Sequence, residues 1–183
     1  ATGSTNPLTV VMNTDKNIVA DFNSPTATPT ATATFTPIPV TPTPTVCTHW
    51  DLNSDFRIAP NQENPNRDSC GNVTWEFLGS NSLVRDPANY YPMTIFTPSI
   101  GGYAGLDFWF GNYEDGNGQF PAIGFNGSGE TSTFYGHITY PANAVDVHPG
   151  PGQLGVIVWR SPLSGHISIS GGVSDNDPAC GDG

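Results

Sequence analysis

From residue 47 onward the apolar residues fall in short runs, each bounded by clusters of Gly, Pro, Asn, Asp and Ser. Runs of that length between turn formers read as strands. The pattern predicts strands at 73–78, 94–97, 105–110, 122–125, 134–140, 156–161 and 165–172. Nowhere do apolar residues recur at helical spacing over eleven or more positions, so the expected class is all-β. The clearest pair is "GVIVWRSPLSGHISISGGV": "VIVWR" and "HISIS" both alternate and "SPLSG" supplies a turn. This predicts a hairpin at the centre of the core. Seven strands at such spacing predict a sandwich.

The N-terminal pattern is different. In "NPLTVVMNTDKNIVADFN" two alternating runs, 8–12 and 17–22, flank the polar break "NTDK", which predicts a β-hairpin. The next stretch, 24–46, holds nine threonines and six prolines and no charge. Thr26, Thr28, Thr30, Thr32, Thr34 and Thr36 occupy every second position, as do Thr41, Thr43 and Thr45 after a shift of phase. In an extended chain each run lines up its hydroxyls on one face. Proline blocks compaction and exposes those hydroxyls, so these nine are candidate O-glycosylation sites, with a flexible spacer as the plainer alternative. The expected organisation is a hairpin segment (1–23), an extended arm (24–46) and a β-sandwich (47–183).

Composition narrows the setting. Gly and Pro are abundant, charged residues make up 11%, and the formal net charge is -11. Such a chain repels nucleic acid and anionic lipid. No apolar run is long enough to span a bilayer as a helix, so membrane insertion is not expected. Lysine occurs once, at Lys16, while hydroxyl and amide side chains abound, a balance that suits an extracellular or cell-surface protein. Cys47, Cys70 and Cys180 allow at most one internal disulfide. In an oxidising compartment Cys47–Cys70 closes the first loop of the body and leaves Cys180 for another partner; three buried thiols are the alternative.

The residues "TNPLTVVMNTDKNIVADF" resemble the last hairpin of internalin-B-type divergent repeats, small extracellular bacterial β modules. A complete repeat implies further residues upstream, or a sheet elsewhere that receives the hairpin. The body, above all "HPGPGQLGVIVWRSPLSGHISISGGVSDNDPACGDG", resembles jelly-roll modules of large secreted bacterial proteins. The resemblance implies a jelly-roll-like sandwich in which a further strand follows the Asp-Gly loop, leaving an open edge where that strand is lacking.

Catalysis needs groups with matched roles, such as two carboxylates or a nucleophile beside a base. His49, His137, His148 and His166 occur singly, and Glu114 and Asp115 lie side by side in a glycine-rich stretch that reads as a turn. No enzyme is expected. Asp175, Asp177 and Asp182 in "SDNDPACGDG" could offer hard oxygen ligands to Ca²⁺, an ordinary acidic turn being equally plausible. Asn72 and Asn126 match the N-glycan acceptor pattern. "LDFWFGNYEDGNGQ" sets Trp109 and Tyr113 beside Asn112, a combination that can stack and bind sugars, although a small sandwich also needs large residues inside.

Two functional expectations follow. In the first, the chain is a non-catalytic structural subunit whose copies join head to tail, each arm reaching a neighbouring sandwich across roughly 60 to 70 Å at about 3.1 Å per residue. In the second, it is a carbohydrate-binding or adhesive module on a glycosylated stalk.

Overall fold

The computed structural model describes residues 18–20, 47–56, 63–115, 118–134 and 136–177. In chain order the elements are β1 (Ile18–Ala20), a one-turn helix α1 (Leu52–Phe56), β2 (Asn66–Arg67), β3 (Val73–Ser80), β4 (Tyr90–Pro92), β5 (Ile95–Thr97), β6 (Leu106–Asp115) and β7 (Gly118–Asn126). They continue with β8 (Ser132–Phe134), β9 (Ile138–Tyr140), β10 (Val145–His148), β11 (Gly155–Trp159) and β12 (Ile167–Ile169). The fold is all-β, with antiparallel pairing throughout the described ladders. No helix among the described residues is long and apolar enough to cross a membrane.

The longest ladder forms where the sequence is apolar on both strand parities. In "LDFWF" of β6, Leu106, Phe108 and Phe110 point to one face and Trp109 to the other. Its partner β7 sends Ala122 to the first face and Ile123 and Phe125 to the second. The sheet β10-β7-β6-β5 is therefore covered twice. On one side lies the second sheet, in which β11 pairs one edge of β3 and β2 and β4 share the other. Phe77 of β3 and Phe56 of α1 meet Trp109, Ile123, Phe125 and Met93 between the sheets. This is a sandwich core. On the other side the β8–β9 hairpin brings Phe134 and Tyr140 over Phe108. Gly124 is required there, because a Cβ would collide with the Phe108 ring.

Two local devices complete the second sheet. Asp51 starts α1 by accepting the Ser54 N–H at 3.0 Å, an N-cap bond that aims Phe56 inward. Between β2 and β4, the Asn64 side chain stands in for a strand: its oxygen accepts the Phe77 N–H at 2.9 Å. Its nitrogen donates to Phe77 O and Met93 O, both at 2.7 Å.

Several expectations need correction. The span 134–140 is not one strand but the β8–β9 hairpin. The ladder of β6 and β7 runs beyond 105–110 and 122–125 into the polar stretch expected to be a turn, so Glu114 pairs with Gln119. The predicted hairpin of "VIVWR" with "HISIS" does not form. Instead β11 pairs β3, with Trp159 opposite Trp75, and β12 pairs β1. Turn chemistry in "SPLSG" is overridden by the better-buried edge of β3. By its contacts the chain divides into two compact units, one of residues 45–162 and 176–182, the other of 1–44, 163–175 and 183. The sandwich belongs to the first, the β1–β12 ladder to the second.

Candidate functional site

In the second unit, "NIVADF" supplies β1, which lies antiparallel to β12 in the register Ile18↔Ile169, Val19↔Ser168 and Ala20↔Ile167. The ladder is three residues long and two-stranded among the described residues. Ile169 keeps 42% of its surface exposed and Val173 82%. A two-stranded ladder of that length, taken by itself, is marginal in water. The run 8–12, expected to pair with 17–22, lies outside the described residues, as do the nine threonines of 24–46, Cys180 and Asp182.

In the first unit, the disulfide joins Cys47 to Cys70 with a Cα–Cα distance of 5.9 Å. The loop that carries Cys70 is organised by Asp68. One carboxylate oxygen accepts the N–H groups of Cys70 (3.0 Å) and Asn72 (2.8 Å), and the other accepts Trp50 Nε1–H at 2.7 Å. The Asn72 side-chain nitrogen donates to the same carboxylate, which removes Asn72 from the freely solvated amides. A second buried carboxylate, Asp55, accepts Trp75 Nε1–H at 2.7 Å. Trp159 sits between the two tryptophans, 5.4 Å from Trp50 and 6.4 Å from Trp75.

The two carboxylates have opposite acidities. Burial pushes Asp55 up, with the Asp68 charge adding to it and the Trp75 hydrogen bond offsetting only part. Burial also penalises Asp68, but the bonds from Asn72, Trp50 and the Cys70 backbone outweigh it and hold the group below 3.8. Divergent carboxylates can mark an acid and a base. Here they are 4% and 2% exposed, and the Asp68 oxygens are taken up by the loop and by Trp50, so their evident work is to fasten the disulfide loop and α1 to the tryptophan cluster. Neither aspartate was singled out from the sequence. The turn "DSCGN" was the available signal for Asp68, since Asp commonly accepts backbone N–H groups just downstream.

The sugar-stacking set is not assembled as expected. Trp109 is 6% exposed and packs edge-on against Phe96 in the core at 5.0 Å. Tyr113 and Asn112 are exposed at the irregularity where the β6–β7 register shifts. Asn126 is 1% exposed. Its nitrogen, the atom a glycan would occupy, donates to Glu130 O and Tyr140 O at 2.8 Å, so in the folded protein it is a structural amide rather than an acceptor.

Of the aspartates proposed for Ca²⁺, Asp177 lies 2.9 Å from His137 Nδ1, and Asp175 is exposed in the other unit. The neighbouring Asn176 is tied down: its carbonyl accepts Thr139 N–H and its side chain donates to Asp146, both at 2.8 Å. Among the described residues the one cluster with metal-ligand spacing is Cys47, Asp68 and Cys70, and its two sulfurs are bonded to each other. No protein-family model, curated protein or solved structure matches the chain.

Proposed function

We propose that the chain is a non-catalytic extracellular structural subunit whose copies join head to tail, into a fibre or sheath, through the N-terminal strand. The observation that carries this is the antiparallel addition of β1 to β12. An N-terminal segment is thereby used as an added strand, the mode by which extended segments bind sheet edges. The arm of residues 24–46, rich in threonine and proline, supplies both reach and hydroxyls for O-glycans. Donor and acceptor are different surfaces, and a contact of that kind grows into an open filament where successive rotations do not close a ring. The alternative, a carbohydrate-binding module on a glycosylated stalk, has less support, because Trp109 packs in the core and leaves Asn112 and Tyr113 without their stacking partner.

A chain beginning at Cys47 tests the proposal. It is expected to sediment as a monomer at concentrations where the full chain forms ordered polymers in electron micrographs. Equal polymerisation of both would reduce the arm to a spacer. Dispersed particles of the full chain at every concentration would favour the stalked module.

A further inference from the structure

The β1–β12 ladder is closed within one chain, whereas assembly requires the same strand to serve a neighbour. We propose that the intrachain ladder is the resting form of the assembly joint, and that assembly proceeds by exchange. In this step β1 of one copy leaves its own β12 and adds to β12 of a second copy in the same antiparallel register. The inference rests on the assembly reading above and adds to it the acceptor strand, the register and the step that holds free subunits monomeric.

Three observations support exchange. First, β12 of a second copy presents the same edge as the chain's own, so the swapped contact needs no new complementarity. Second, the described ladder is short: it has three residue pairs, and each backbone hydrogen bond contributes only about 0.5–1.5 kcal/mol net. Third, Ile169 and Val173 are exposed with the intrachain ladder formed, so exchange of the partner strand uncovers no core at these positions. Both strands belong to one chain, so pairing in cis is independent of concentration whereas pairing in trans grows with it. Exchange between chains is therefore slow when the protein is dilute and favoured when it is crowded.

The register supplies the test. Directly opposite residues of an antiparallel pair are about 4.5–5.5 Å apart at Cα, within the disulfide range of about 4.4–6.8 Å. The double variant Val19→Cys/Ser168→Cys, made with Cys180→Ser, is oxidised as a dilute monomer and its new bond located by peptide mapping. The expected result is loss of polymer growth in the oxidised protein and recovery on reduction, with the Cys180→Ser parent under the same reductant reporting any contribution of the Cys47–Cys70 bridge. Growth of the oxidised protein as fast as the reduced one would overturn the exchange step while leaving assembly intact. No polymer from either form or from the parent at any concentration would sink the assembly reading and exchange with it. As a second measurement, Val19→Cys and Ser168→Cys chains, each with Cys180→Ser, are mixed at polymer-forming concentration. An interchain disulfide between the two introduced thiols supports exchange, and its absence from polymers that do form counts against it.

Discussion

The β6–β7 ladder and the β1–β12 ladder use the same kind of backbone hydrogen bond, yet their described residues differ in how deeply they are buried. In the first, Ile123 is fully buried and Leu106 is 1% exposed, one on each face of the sheet. In the second, Ile169 is 42% exposed. Ladder bonds give about 0.5–1.5 kcal/mol each, net of water, whereas full burial of one large apolar side chain gives about 1.5–3 kcal/mol. Permanence therefore comes from what covers the strands rather than from the pairing itself. The first ladder is scaffold, and the second is the one proposed above as the assembly joint.

The largest effect should come from breaking the scaffold. Ile123→Ala removes a side chain from the centre of the sandwich core and is expected to cost about 2–5 kcal/mol, and Phe77→Ala about 3–5 kcal/mol, including the cavity each leaves. Ile169→Ala, at an exposed position of β12, should stay within about 0.5 kcal/mol. Urea unfolding midpoints measure all three. A loss at Ile169 comparable with that at Ile123 would erase the distinction between the two ladders.

A smaller effect sharpens the comparison inside the scaffold itself. Asp68 has its folded value below 3.8, so its charged form contributes stability that is complete well above pH 3.8 and is lost as pH falls through the folded value. Asp55 has its folded value above 3.8. Its stabilising contribution is that of the neutral acid, fully present below pH 3.8 and lost as pH rises through the raised value. Asp68→Asn should therefore destabilise by about 1–3 kcal/mol at pH 7 through weakened charged hydrogen bonds, with the deficit shrinking in acid. Asp55→Asn keeps an acceptor for Trp75 and removes a buried charge, so at pH 7 it should be neutral or stabilising. Thermal melts of both variants at pH 7 and near pH 3 provide the check, and deficits of the same sign and pH dependence would contradict the assignment.

The sequence exposes what is periodic and local. The strand at 73–78 and the apolar runs of β6 and β7 were legible because core burial dictates their side chains. Beyond Phe110 the same hairpin continues through Tyr113, Glu114 and Gln119, where solvent imposes no alternation, so polar strand residues look like a turn. The partner of β11 was not legible. β3 is far away in sequence, and nothing local distinguishes that edge from the nearby "HISIS". The same holds for the indole–carboxylate pairs Trp50–Asp68 and Trp75–Asp55, separated by 18 and 20 residues. Spacing rules do not reach across separate elements. The helix α1 was missed because five residues are too few to show a helical period, although Asp51 was its capping signal.

The smallest effect on stability should accompany a complete effect on assembly. Alternate residues of an antiparallel strand aim their N–H at the partner. Of the adjacent positions Val19 and Ala20, one therefore donates across the ladder and the other faces away. Proline lacks the N–H and is tolerated in a strand mainly where that group is not paired. Val19→Pro and Ala20→Pro together thus form a matched pair: one deletes a ladder bond, and the other reports the general strain of proline in the segment. Both positions lie outside the unit that holds the sandwich, so the main unfolding transition should move by no more than about 0.5 kcal/mol in either. The variant that deletes the ladder bond should lose polymer growth, while its neighbour retains more of it. Sedimentation at matched concentrations reads the outcome. If both variants polymerise like the parent, β1 is not the donor strand. If both also shift the main transition by more than about 1 kcal/mol, against the small effect expected of an exposed site, the ladder is part of the scaffold after all.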